Sequence, residues 1–128
     1  PQVVAWLERV IHLVPVGSRP DGYDPLETRN MDAGWVARLG RSGQACYDAI
    51  VAMDLAALGE SLNETSVSWR AILPNIYEHP TIKGDLWGLL QGYMAGYPGA
   101  MQSGCGGVYI IVASDEPPAG SSRISVRA

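Results

Sequence analysis

Between Val10 and Val14 apolar side chains fill odd and even positions alike. That is the pattern of a strand covered on both faces, so Val3 to Val16 is predicted as one central strand. Pro15, Gly17 and Pro20 break it. Ser18 to Asn30 reads as a polar, turn-rich connection through Asp21-Gly22 and Asp24-Pro25. From about Asn30 to Met53 the spacing turns helical, with Trp35, Leu39, Cys46, Ile50 and Met53 near one face. Asp54 suits a boundary and an N-cap. A second helix follows, in which Leu55, Leu58, Leu62, Ser66, Trp69 and Leu73 step by three and four until Pro74 stops it. The two helices form an αα-hairpin with a very short joint.

Asn75 to Pro80 is expected to be a loop. Thr81 opens a third helix, striped by Leu86, Leu89, Leu90, Tyr93 and Met94, and Gly96 and Pro98 end it. Gly84, Gly88 and Gly92 recur every four residues, as close packing against a sheet would favour. Gly99 to Gln102 and Val108 to Ser114 are predicted strands. Asp115 to Ser121 is a Pro/Gly linker, and Arg123 to Arg127 alternates like a final edge strand. The order gives an α+β class: an antiparallel sheet with helices packed on one face.

A chain of 128 residues forms one domain with a sizeable core. No segment reaches transmembrane length. The chain opens Pro1-Gln2 without a basic leader or an initiator Met, so it reads as an excised piece of something longer. Its net charge of −4, with both signs interspersed, argues against nucleic-acid and anionic-membrane partners. Cys46 and Cys105 lack metal-ligand spacing, and no disulfide is needed, which makes a cytoplasmic location the default. Cys46 is read as core filler. No metal site is expected: His12 reads as a hydrogen-bonded core residue, and His79 has no partner at metal spacing. Glu60 and Glu64 read as a solvated helix face. Turn chemistry accounts for the aspartates near Glu27.

One stretch carries more chemistry than the rest. Gln102-Ser103-Gly104-Cys105-Gly106-Gly107 places three glycines in four positions, directly before the apolar run Val108 to Ala113. Such a backbone turns sharply and aims successive N–H groups into one concavity, which favours phosphate. The hydroxyl of Ser103 and the amide of Gln102 could assist. A tight β-turn that uses glycine only for geometry fits the same residues. The loop lacks the lysine and helix of a Walker-type site and runs into a strand, unlike a dinucleotide fingerprint. In an electropositive loop the Cys105 thiol would be reactive.

The stretch Tyr97 to Asp115 resembles the third motif of the GHMP small-molecule kinases. Trp6 to Arg19 is similar to the strand and loop that open the C-terminal domain of their heptose-kinase-like members, and Leu55 to Ile76 to their long helix. The resemblance implies that Ser103, Gly104, Cys105, Gly106 and Gly107 face an active-site cleft. It also implies that Ser18 and Arg19 form a substrate loop, with Arg19 able to clamp a phosphate or carboxylate. Relatives commonly carry a further glycine where Val108 or Tyr109 stands. The family's other nucleotide loop and its N-terminal catalytic residues have no counterpart in this chain. The expected reading is therefore the C-terminal domain of an ATP-dependent sugar kinase, in fold a ferredoxin-like sandwich. The sugar or sugar phosphate would bind here, and a missing N-terminal domain would supply most contacts to ATP and Mg2+. Alone, the chain would be inactive, and its uncovered apolar face would favour self-association. A non-catalytic α+β module that binds a metabolite or protein, and a pseudokinase half that retains substrate binding, are the alternatives.

Overall fold

In the computed structural model, residues 1–17, 24–78, 85–103 and 109–127 are described. The first element departs from the predicted strand. Helix α1 covers Gln2–Val10, and only Ile11–Pro15 is strand β1. Val3, Trp6, Leu7 and Val10 recur at three- and four-residue spacing and form the inward face of one helix. The apolar run that suggested a longer, doubly covered strand is strand only after Val10.

Two antiparallel helices come next. Helix α2 spans Ala33–Ala52, and α3 spans Leu55–Ile72. Asp32 caps α2 by accepting from the N–H groups of Gly34 and Trp35, so the helix begins slightly later than predicted. Asp54 caps α3 through the Ala57 N–H, as expected. Met53 ends α2 in the left-handed conformation (φ 52°) instead of joining its buried face. The hairpin joint is thus Met53 and Asp54 alone.

Pro74 does stop α3, but the expected loop after it holds one further turn, α4 (Asn75–Glu78). The Pro74 carbonyl accepts from the N–H groups of Tyr77 and Glu78, and the turn buries Ile76 and Tyr77. Pro80 and Thr81 lie outside the described residues. Helix α5 runs from Leu86 to Gly96 under an Asp85 cap. Leu89 is exposed, unlike the rest of its predicted stripe. Gly92 meets no atom within 4 Å, and Gly88 faces Asp85, so these two glycines do not serve helix–sheet packing; Gly84 lies outside the described residues.

Strands β2 (Gly99–Ser103), β3 (Tyr109–Ala113) and β4 (Ser122–Arg123) complete an antiparallel sheet in the order β2-β3-β1-β4. The last strand is a two-residue edge pairing with His12 and Leu13, shorter than predicted, and Ile124 and Val126 lie beyond it. Because β3 is antiparallel to both β1 and β2, those two run the same way with β3 inserted between them. This is a split crossover, and α2 to α5 form its connection.

Apolar clusters occupy both faces of the sheet, where one covered face was expected. Val14, Ala100, Ile110 and Val112 meet Ile72, Ile76, Tyr77, Leu86 and Leu90 on one side. Their alternate neighbours Ile11, Met101, Ile111 and Ala113 pack with Trp6, Val10, Ala49, Leu58 and Leu62 on the other. The chain achieves this because α3 passes along the edge of the sheet and contributes its first half to one cluster and its last turn to the other. Half-buried Cys46 joins the second cluster, as read from the sequence. His12 is fully buried, and its Nε2–H donates to the Ser114 carbonyl at 2.9 Å. Among the described residues, no helix is long and apolar enough to cross a membrane.

Contact between α3 and β2 requires two residues without side chains. A Cβ on Gly59 would overlap the Pro98 carbonyl, and one on Gly99 would overlap the Gly59 carbonyl. Gly59→Ala is therefore expected to destabilise the fold by about 1–3 kcal/mol through overpacking. Gly40→Ala, on the exposed face of α2 with nothing within 4 Å, is expected to stabilise by about 0.5–1 kcal/mol. Urea unfolding of the two variants checks the contrast; equal effects would contradict the close approach.

Candidate functional site

The register of the sheet decides where the two predicted loops begin. Pro15 pairs with Tyr109, and Tyr109 pairs with Ser103. The last residue of β1, the first of β3 and the last of β2 thus lie abreast at one end of the sheet. The glycine run leaves from Ser103 and returns at Tyr109. The connection holding Ser18 and Arg19 leaves from Pro15, two residues before Gly17, whose φ of +132° suits a residue without a Cβ. Gly104, Cys105, Gly106, Gly107, Ser18 and Arg19 themselves lie outside the described residues, as do Asp21 and His79.

Of the predicted site residues, Gln102 and Ser103 are described. Gln102 is buried, pairs with Ile110 and points to the face that holds Val14 and Val112. Its Oε1 accepts the Tyr77 hydroxyl, which also lies 3.4 Å from the Ser66 carbonyl. The Gln102 side chain thus ties α4 to the end of β2. Ser103 is half-buried on the opposite face, in register with Tyr109.

The root of the glycine loop is held from the helix side. The Ala100 N–H donates to Asn63 Oδ1 at 3.0 Å, and the Ser66 hydroxyl reaches the Ala100 carbonyl at 2.9 Å. Both polar groups of one edge residue are satisfied by α3 side chains, where a neighbouring strand would otherwise pair. Sequence reasoning placed Ser66 in the apolar stripe of α3 without asking what its hydroxyl bonds. A serine on a buried stripe is itself the signal, because a buried hydroxyl needs a partner. Tyr77 and Asn63 carried no such mark.

Charged groups gather in a hollow of about 460 Å3 between α2 and α3. Arg38 clamps Glu64 through Nε (2.7 Å) and Nη2 (2.9 Å), and its guanidinium lies 5.0 Å from the Trp35 ring centre. The hydrogen bonds from Arg38 hold the Glu64 carboxyl below its ordinary pKa; partial desolvation opposes this, and the positive charges of Arg38 and Arg41 reinforce it. Glu64 is thus a partner in an ion pair and not merely part of a solvated face, while Glu60 is exposed. In the acidic connection, Asp24 accepts the Leu26 N–H at 2.9 Å, which is turn chemistry. Among the described residues, no group of three or more His, Cys, Asp or Glu converges to hold a metal.

A depressed carboxylate stabilises the fold at pH values above the unfolded glutamate pKa. That contribution fades as the pH falls from about 4.3 through the lower folded value. Glu64→Gln is therefore expected to flatten the loss of stability between about pH 5 and about pH 3. Thermal unfolding across that range checks this, and parallel curves for both proteins would contradict it.

No protein-family model matches the chain, and no curated protein or solved structure matches it either.

Proposed function

We propose that this chain is the substrate-facing C-terminal domain of an ATP-dependent sugar kinase of the GHMP type. One observation carries the reading. Pro15, Ser103 and Tyr109 lie abreast, so the glycine run and the Ser18–Arg19 connection both start from one end of the sheet. The two segments that the resemblance assigns to the cleft thereby leave the sheet at the same end. The fixed root of the glycine loop adds support, since backbone donors hold an anion well only when the scaffold behind them is rigid. The split strand order is what a ferredoxin-like sandwich requires, although residues 114–121 are a short connection where that architecture would place a second helix.

On this reading the γ-phosphoryl group of ATP passes to a hydroxyl of a sugar or sugar phosphate. The N–H groups of the glycine run and the Arg19 guanidinium hold phosphate or acceptor oxygens, and positioning accounts for most of the catalysis. Most contacts to ATP and Mg2+ would come from an N-terminal domain of the parent kinase. The glycine run contributes through its backbone, because Gln102 is committed to Tyr77. That inward turn of Gln102 also favours the second reading, a non-catalytic module that binds a metabolite or protein.

Titration with a hexose phosphate and a heptose phosphate, followed by amide NMR, tests the site. Saturable shifts at Gly17, Ser103 and Tyr109 are expected, weakened about tenfold by Arg19→Ala through loss of a charge-assisted hydrogen bond. No turnover of ATP is expected from the chain alone. Absence of shifts at the sheet end would refute the site, and vigorous sugar phosphorylation by this chain would refute the division of labour.

A further inference from the structure

Four helices bring two indoles and an ion pair around a second hollow, of about 230 Å3. Trp35 comes from α2, Arg70 from α3, Glu78 from α4 and Trp87 from the first turn of α5. The Arg70 guanidinium lies 4.5 Å from the Trp87 ring centre, and Tyr77 meets the same ring edge-on at 5.2 Å. The indole of Trp87 is thereby held in place by its neighbours.

The ion pair here is less complete than its counterpart in the hairpin. Glu64 takes both Nε and Nη2 of Arg38. Glu78 takes only Nη2 of Arg70, at 2.6 Å, and Arg70 Nε has no acceptor. Among the described residues, the second oxygen of Glu78 receives no hydrogen bond. Arg70 and Glu78 side chains are 40% and 50% exposed and both line the hollow, so a ligand there would meet a guanidinium and a carboxylate together. Nε is shut off from water, and a ligand would address the terminal nitrogens.

These features define a ligand. The hollow is below the 300–1,000 Å3 that drug-sized molecules occupy, which limits it to about one ring system. Arg38 covers one face of Trp35 and Arg70 one face of Trp87, so a flat ring would stack on an opposite face, where stacking on an aromatic ring is worth about 1–3 kcal/mol per base. The hollow's cation and anion cancel, which favours a neutral molecule. A guanidinium donor beside a carboxylate acceptor matches a ring edge that carries an acceptor beside a donor. We propose that this hollow binds a single nucleobase, presented by a free nucleoside. A polynucleotide is not the source, because the chain carries a net charge of −4. The site needs no phosphoryl transfer and stands whether or not the sheet end binds phosphate.

The test follows the indole N–H signals of Trp6, Trp35, Trp69 and Trp87 by NMR while cytidine and adenosine are titrated into the chain. Saturable shifts of Trp35 and Trp87, with Trp6 unmoved, are expected for at least one nucleoside. A fully N-methylated uracil, which stacks but cannot donate to Glu78, is expected to bind about tenfold more weakly. Glu78→Gln and Arg70→Lys are each expected to weaken nucleoside binding by a similar factor, with the remaining amide spectrum confirming the fold. No saturable shift with either nucleoside would overturn the proposal. So would equal binding by the methylated uracil, indifference to both substitutions, or equal shifts with D-mannose, which would mark a carbohydrate site.

Discussion

An open sheet edge is a liability, because its unpaired N–H and C=O groups invite other chains. In this protein α3 closes that edge at β2. Asn63 and Ser66 satisfy the Ala100 backbone, and Gly59 and Gly99 let helix and strand approach until their main chains touch. Everything else in the fold accommodates this contact. A helix running along an edge reaches past both faces of the sheet, and so α3 contributes to both apolar clusters. The αα-hairpin that delivers it is turned by two residues and pinned by Arg38–Glu64 across its helices.

The same contact shapes the candidate site. Hydrogen bonds at Ala100 and the Tyr77–Gln102 bond fix β2 up to the residue before the glycine run leaves it. Backbone anion sites depend on such fixed roots, since a donor array that must be ordered at the moment of binding gives up affinity to conformational entropy. The opposite edge is treated differently. Only Ser122 and Arg123 pair with β1, and the Val126 N–H is satisfied by Glu8 of α1. A very short edge strand tied to a helix is another way of blunting an edge.

Much of the helical hairpin was legible because its signals are local. Asp54 as a cap, Pro74 as a stop and the three–four spacing of Leu55, Leu58 and Leu62 each act within a turn or two. The first element was misread for the same reason. Val3 to Val14 is apolar enough for either helix or strand, and short apolar runs do not declare a period. Packing decided it: Trp6, Leu7 and Val10 all join the cluster of Leu58 and Leu62, and the adjacent pair Trp6 and Leu7 would point to opposite faces of a strand. The turn of α4 was missed because Pro74 signals the end of one helix and equally well the start of another. Gly84, Gly88 and Gly92 suggested sheet packing by their repeat, yet the glycines that need close approach are Gly59 and Gly99. Those two are forty residues apart, and nothing local marks the pair.

By itself the sequence determined the α+β class, the hairpin, the caps, the paired strands β2 and β3, and the buried place of His12. Each follows from propensities and periodicities that act between near neighbours. The tertiary structure alone decided which loops share an end of the sheet, which edge a helix covers, and that Trp35, Arg70, Glu78 and Trp87 surround one hollow. Those relations join residues far apart in the chain, and they are fixed by strand register and by the steric fit of elements that have already formed.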